Sequence, residues 1–117
     1  ADFAATLSMT WTLQSADQVT FRYAINGKLM MIWLRLLNTT IGGTVAGANP
    51  TIKIPTGALA AKTVAQPFLA SPAGPSEGVI IATTAGSNLL TVLRYNADWV
   101  LGTNNTDLNG FLCVELQ

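Results

Sequence analysis

Apolar and polar residues alternate along most of this chain, whereas the three-to-four-residue spacing of an amphipathic helix is almost absent. Strict alternation is typical of a half-buried β-strand, because successive side chains point to opposite faces of the sheet. Two segments show it most clearly, residues 6–13 and residues 18–25. Their apolar positions are Leu7, Met9, Trp11 and Leu13 in the first segment, and Val19, Phe21, Tyr23 and Ile25 in the second.

The pair Asn26-Gly27 follows the second alternating segment and precedes an apolar run over residues 28–37. Asn-Gly is the preferred pair for a type I′ turn, because both central residues of that turn need positive φ. The sequence therefore predicts a β-hairpin between residues 18–25 and 28–37, with Asn26-Gly27 at its tip.

The rest of the chain reads as short strands separated by segments rich in turn residues. We predict strands over residues 51–55, 79–84, 88–95 and 110–117, and loops over residues 38–50, 71–78 and 96–109. Residues 58–70 fit either a helix or an irregular edge strand interrupted by Pro67. Seven or eight strands without a clear helix predict one domain over residues 1–117. Its fold is predicted to be an antiparallel β-sandwich, most simply a jelly roll.

The segment over residues 28–37 is apolar on both of its faces, and the predicted strands over residues 88–95 and 110–117 also carry apolar side chains on both faces. An antiparallel sheet in a two-layer sandwich normally leaves one face to water, and that face is normally polar. Leaving about six large apolar side chains exposed would forgo on the order of 10 kcal/mol, so we predict that the second face packs against other copies of the chain. The candidate interface residues are Met30, Ile32, Leu34, Leu36, Leu90, Val92 and Arg94. The alternative is that both faces lie in one larger core or under the long loops.

The composition agrees with a chain that hides much of its surface. Half of the residues are hydrophobic and only 10% are charged, with six Lys and Arg balancing six Asp and Glu. Without a basic field we expect no nucleic acid partner. The longest apolar run, Leu29–Leu34, is far shorter than the roughly 20 residues of a membrane-spanning helix, so we expect no membrane insertion.

Residues 10–37 and the later "TIKIPTG" resemble the C-terminal β-sandwich modules of bacteriophage tail fibres, head fibres and related virion proteins. The matching features are a Trp-bearing strand, an aromatic strand ending in Tyr, a Gly-Lys turn, a long hydrophobic strand, a Thr/Gly loop and an I-x-I-P strand. They fall at Trp11, Tyr23, Gly27-Lys28, Leu29–Leu37, residues 39–47 and Ile52–Pro55. The resemblance covers residues 6–57, and the remainder only by strand count.

This resemblance implies a homotrimeric jelly roll of the C1q and tumour-necrosis-factor type on a phage particle surface. The chain would be made in the bacterial cytoplasm and would serve in structure or host attachment. Its partners would be other copies of itself, other virion proteins and a host-surface glycan. Two rival functions stay open: a bacterial lectin-like carbohydrate-binding domain, and a jelly-roll capsid or shell protein.

Catalytic residue types are scarce. The chain has no His, its six acids are scattered singly, and Cys113 has no second Cys or His with which to work. Imidazole base catalysis and His-ligated metal sites are therefore excluded, and we expect no enzymatic activity, no cofactor and no metal.

One segment, residues 95–110, carries the residue types of a sugar site. Its Trp99 offers a stacking surface, and Asn104, Asn105 and Asp107 offer hydrogen bonds to hydroxyl groups. These residues are the candidate carbohydrate or receptor site. The alternative is that Trp99 packs into the core and that the amides belong to an ordinary loop.

Overall fold

Antiparallel strands dominate the computed structural model, which describes residues 2–117. Within those residues only two 3₁₀ turns interrupt the strands, at Ser15–Asp17 and Pro55–Gly57, and no helix is long and apolar enough to cross a membrane. The nine strands are β1 Phe3–Ala5, β2 Met9–Thr12, β3 Gln18–Asn26, β4 Leu29–Gly43, β5 Pro50–Lys53, β6 Val64–Pro72, β7 Glu77–Thr83, β8 Leu89–Leu93 and β9 Gly102–Glu115.

The strands form one antiparallel sheet in the order β1-β5-β8-β7-β6-β9-β4-β2, and β3 pairs with the first part of β4. Strands β6, β7 and β8 follow one another, and β5 lies beside β8, which is a Greek key arrangement. The two ends of the sheet meet where Phe3 on β1 packs edge-on against Trp11 on β2, with ring centroids 5.6 Å apart. The sheet is therefore nearly closed into a barrel-like shape, and the predicted all-β antiparallel class is confirmed.

The core fills the inside of this curled sheet. From Leu29 to Leu36 the inward side chains of β4 alternate strictly with outward ones, as the period of a strand requires. The side chains that the sequence assigned to an oligomer interface lie in this core: Met30, Ile32, Leu34, Leu36, Leu90 and Val92 are each at most 2% exposed in the single chain. That assignment is wrong, because the sheet curls until the inner faces of β4 and β8 share one interior.

The hairpin between β3 and β4 is present, but its turn differs from the prediction by one residue. Asn26 pairs with Leu29, so the two central residues of the turn are Gly27 and Lys28. Gly27 has φ +62°, and neither Asn26 nor Lys28 has positive φ. A positive φ at the first central residue alone is the pattern of a type II′ turn, which strongly favours Gly there.

Strands β4 and β9 both extend into segments predicted as loops. Asn38, with φ +60°, makes an irregularity in β4, and its N–H donates to the Asp107 carboxylate at 2.8 Å. Beyond it, the chain returns to strand geometry and pairs with β2 as far as Gly43. The matching half of β9 begins at Gly102, eight residues before the predicted start at 110.

Candidate functional site

Strands β4 and β9 present an apolar surface to the outside of the barrel. Residues that face each other across an antiparallel pair lie on the same side of the sheet. Leu29 on β4 faces Glu115 on β9, Met31 faces Cys113, and Trp33 faces Phe111. We call the five apolar members of these rows the outer apolar face: Leu29, Met31, Trp33, Phe111 and Cys113.

The outer apolar face is open to solvent in the single chain. Leu29 is 41% exposed, Trp33 43% and Phe111 47%, while Met31 and Cys113 are half-buried between them. The rings of Trp33 and Phe111 contact each other, with centroids 5.2 Å apart and planes tilted by 50°. Large contiguous exposed apolar surfaces are rare on monomers and mark interaction sites.

Charged residues border this face. Arg22 on β3 lies across from Trp33, Arg35 lies two residues further along β4, and Glu115 lies at the opposite end beside Leu29. Within residues 2–117 the one ion pair joins Arg94 to Glu77, so these three border charges have no ionic partner among those residues. An apolar centre with a polar border is the usual anatomy of a protein–protein interface.

Arg94, which the sequence placed in the interface, has a different role. Its guanidinium binds the Glu77 carboxylate at two points, Nη2 to Oε1 at 2.9 Å and Nε to Oε2 at 3.0 Å. Its Nη1 also donates to the backbone carbonyl of Asp98. Arg94 therefore ties the end of β8 to β7 and to the segment that leads into β9.

The candidate sugar-binding residues do not form a common site. Trp99 is only 3% exposed, so its ring cannot stack on a sugar. Asn104 exchanges hydrogen bonds with Thr40, Asp107 accepts from the Asn38 N–H, and Asn105 packs its amide against Gly102. The core-packing alternative for Trp99 is correct, and Asn104 and Asp107 hold the irregular middle of the β4–β9 pair.

The structure reveals a groove that sequence reasoning missed, which we call the β3 groove. It has a volume of about 420 Å³ and lies between β3 and the turn that follows β5. The lining residues are Asp2, Phe21, Tyr23, Lys53, Ile54, Pro55, Thr56 and Gly57. Alternation over residues 18–25 predicted that Tyr23 and Ile25 are buried, but both are about half exposed, at 47% and 48%.

The groove exists because β3 stands outside the closed part of the barrel. It hydrogen-bonds to β4 along one edge, and within residues 2–117 no strand pairs with its other edge. Strand β1 lies against β5 as far as Asp2, whose carbonyl accepts the Lys53 N–H at 2.7 Å. The space between β3 and residues 54–57 is left open. No pattern in the sequence marks this gap, because it depends on where the two sheet ends meet.

A strained residue lies on the wall of this groove. Thr56 has φ +66°, in the left-handed region, and the next residue, Gly57, has φ +73°. Positive φ is common for Gly but is an outlier for a β-branched residue such as Thr. Strain of this kind persists where the surrounding structure enforces it, and it is concentrated at functional sites.

Comparison with known proteins gives no match for this chain among protein-family models, curated proteins or solved structures. Two surfaces of the molecule therefore bear on its function, the outer apolar face and the β3 groove, together with the pattern of residues 6–57.

Proposed function

We propose that this chain is a non-enzymatic structural or attachment module of a phage virion, which assembles as a homotrimer through the outer apolar face. In this proposal the barrel belongs to the jelly-roll class of the C1q and tumour-necrosis-factor type. The observation that carries the proposal is the exposure of Leu29, Trp33 and Phe111 side by side on one sheet. The resemblance of residues 6–57 to phage fibre modules supports the location on a virion and the trimeric state.

Burying the outer apolar face against another copy would contribute appreciably to the free energy of association. Burying a large apolar side chain completely contributes about 1.5–3 kcal/mol, and three such side chains retain nearly half of their exposure. Covering them would contribute about 3 kcal/mol per copy, before Met31, Cys113 and the border charges are considered. Aromatic residues at the centre of an interface are the ones whose removal costs most binding energy, which places Trp33 and Phe111 as the anchors.

A partner on this face also explains the unpaired charges. Arg22, Arg35 and Glu115 border the apolar centre and have no ionic partner within residues 2–117. Charges at an interface border contribute more to specificity and association rate than to affinity. We therefore expect salt to slow assembly without abolishing it.

The direct test is the mass of the purified chain, measured by light scattering over a range of concentrations. We expect a trimer, and we expect Phe111→Asp to lower the mass because a carboxylate cannot be buried there without a partner. Leu101→Asp is the matched control, since Leu101 is also exposed but lies between β8 and β9, away from this face. A wild-type monomer at all concentrations would refute the proposal, and a very large assembly would favour a shell protein instead.

A further inference from the structure

We propose that the β3 groove binds a neutral pyranose ring of a saccharide. This inference rests on the proposed attachment function and gives it a site and a ligand class. The groove, at about 420 Å³, falls within the usual range of roughly 300–1,000 Å³ for small-ligand sites. It also combines an apolar surface with a few polar groups, which is the usual composition of such sites.

The apolar surface comes from both walls of the groove. Phe21 and Tyr23 line the β3 side, and Pro55 lines the side that follows β5. Tyr23 is 47% exposed, so about half of its surface is available for contact. An aromatic ring with a phenolic hydroxyl suits a sugar, because the ring covers the apolar C–H face and the hydroxyl reaches the polar edge.

The polar groups offer both kinds of hydrogen bond. Asp2 brings a carboxylate that accepts, Lys53 an ammonium group that donates, and Thr56 a hydroxyl that does both. Sugar hydroxyls donate and accept, so this mixture suits them. The two charges of the groove cancel, and Asp2 and Lys53 form no ion pair with each other. A neutral sugar is therefore favoured over a charged one.

The groove and the outer apolar face lie on opposite sides of β3. Phe21 and Tyr23 face the same side as the core residues Leu34 and Ile32, whereas Arg22 faces the same side as Trp33. Copies that pack on the outer apolar face would therefore leave the groove open. Assembly and ligand binding can then occur in the same molecule, as attachment to a host surface requires.

The test is a titration of the isotope-labelled chain with methyl glycosides of glucose, galactose, mannose and N-acetylglucosamine at millimolar concentrations, followed by NMR. At least one is expected to shift the signals of residues that line the groove. Tyr23→Ala should weaken that binding roughly three- to tenfold, a loss of about 0.7–1.4 kcal/mol, because the aromatic surface under the sugar is removed. Tyr23→Phe retains the ring and should lose less. Tyr95→Ala, at a tyrosine that is 83% exposed but lies outside the groove, should change nothing.

Three results would overturn the inference: no glycoside binds, binding is unaffected by Tyr23→Ala, or the groove signals move only when protein concentration rises. The last result would show that a second copy fills the groove. Light scattering on the same samples separates this inference from the proposed function. A trimer without sugar binding refutes the groove assignment alone, whereas a monomer that binds sugar refutes the trimer alone.

Discussion

Trp33 on β4 lies directly across from Phe111 on β9, and their rings contact each other on the solvent side of the sheet. One residue further along each strand, Leu34 and Leu112 point inward and are buried. A step of one residue therefore separates the core of this barrel from its exposed apolar surface. Assembly through this sheet therefore depends on which of the two sets of side chains lies on the outer face.

This assignment predicts opposite outcomes for neighbouring substitutions. Leu34→Asp should prevent folding, because an unpaired carboxylate in the core costs several kcal/mol, comparable with the whole stability of a small domain. Trp33→Asp should leave the fold intact and lower the oligomer mass, because Trp33 is 43% exposed in the single chain. Circular dichroism and light scattering on both variants check this. A folded monomer of Leu34→Asp would contradict the assignment.

The turn at Gly27 predicts a purely conformational effect. Gly27 has φ +62°, and a Cβ added there would meet nothing within 4 Å, so Gly27→Ala introduces strain without a clash. The left-handed region costs an L-residue about 1–2 kcal/mol, and chemical denaturation should show a loss of that size. Gly74→Ala is the control, since Gly74 also has open space around it but lacks positive φ. Equal stability of Gly27→Ala and wild type would refute the type II′ turn.

The sequence was sufficient to predict the β3–β4 hairpin and the position of most strands, because alternation and Gly27 act locally, but it did not predict β1 and it left β6 open between a helix and an edge strand. It was not sufficient to assign the faces of β4. Both faces of that strand are apolar, so the pattern fits two orientations equally well, and the choice depends on how distant strands close the barrel. The pattern accordingly predicts Leu34 at the interface, whereas Leu34 lies in the core.

The sequence did not predict that the polar parts of β4 and β9 are strands, for a related reason. Thr, Asn and Gly dominate residues 38–43 and 102–109, and these residue types predict loops. The structure keeps them extended through contacts between residues far apart in sequence. One example is the pair of hydrogen bonds between Asn104 and Thr40, at 3.0 and 3.3 Å. The sequence leaves the role of Trp99 open between sugar stacking and core packing for the same reason, since only the curled sheet shows that its ring is buried.

The side-chain amide of Gln66 replaces backbone hydrogen bonds between β6 and β9 where the pairing of these two strands has ended. It donates to the Cys113 carbonyl at 2.5 Å and accepts the Cys113 N–H at 3.0 Å, beyond the point where the backbone pairing of these strands ends at Leu69. Gln66→Leu should cost about 1–3 kcal/mol, because two partly buried backbone groups lose their partner. Gln66→Glu keeps an acceptor for the N–H but sets its second carboxylate oxygen against the Cys113 carbonyl, so it should also be destabilising. Urea unfolding measures both losses, and wild-type stability of Gln66→Leu would contradict this role.

A buried chain of hydrogen bonds joins β2, β4 and β9 through one hydroxyl. The indole Nε1 of Trp11 donates to Thr39 Oγ1 at 2.8 Å, and Thr39 Oγ1 donates to the Thr106 carbonyl at 2.7 Å. Thr39→Val preserves the shape of the side chain but leaves a buried N–H and a buried carbonyl unpaired, so it should cost about 2–3 kcal/mol. Thr39→Ser keeps the hydroxyl and loses only a methyl group, at about 1 kcal/mol. Thermal unfolding should therefore rank Ser above Val, although Val is the more apolar residue and the better strand former. If Thr39→Val proved as stable as wild type, the hydroxyl would contribute nothing, and backbone pairing together with apolar packing would be sufficient to hold these three strands together.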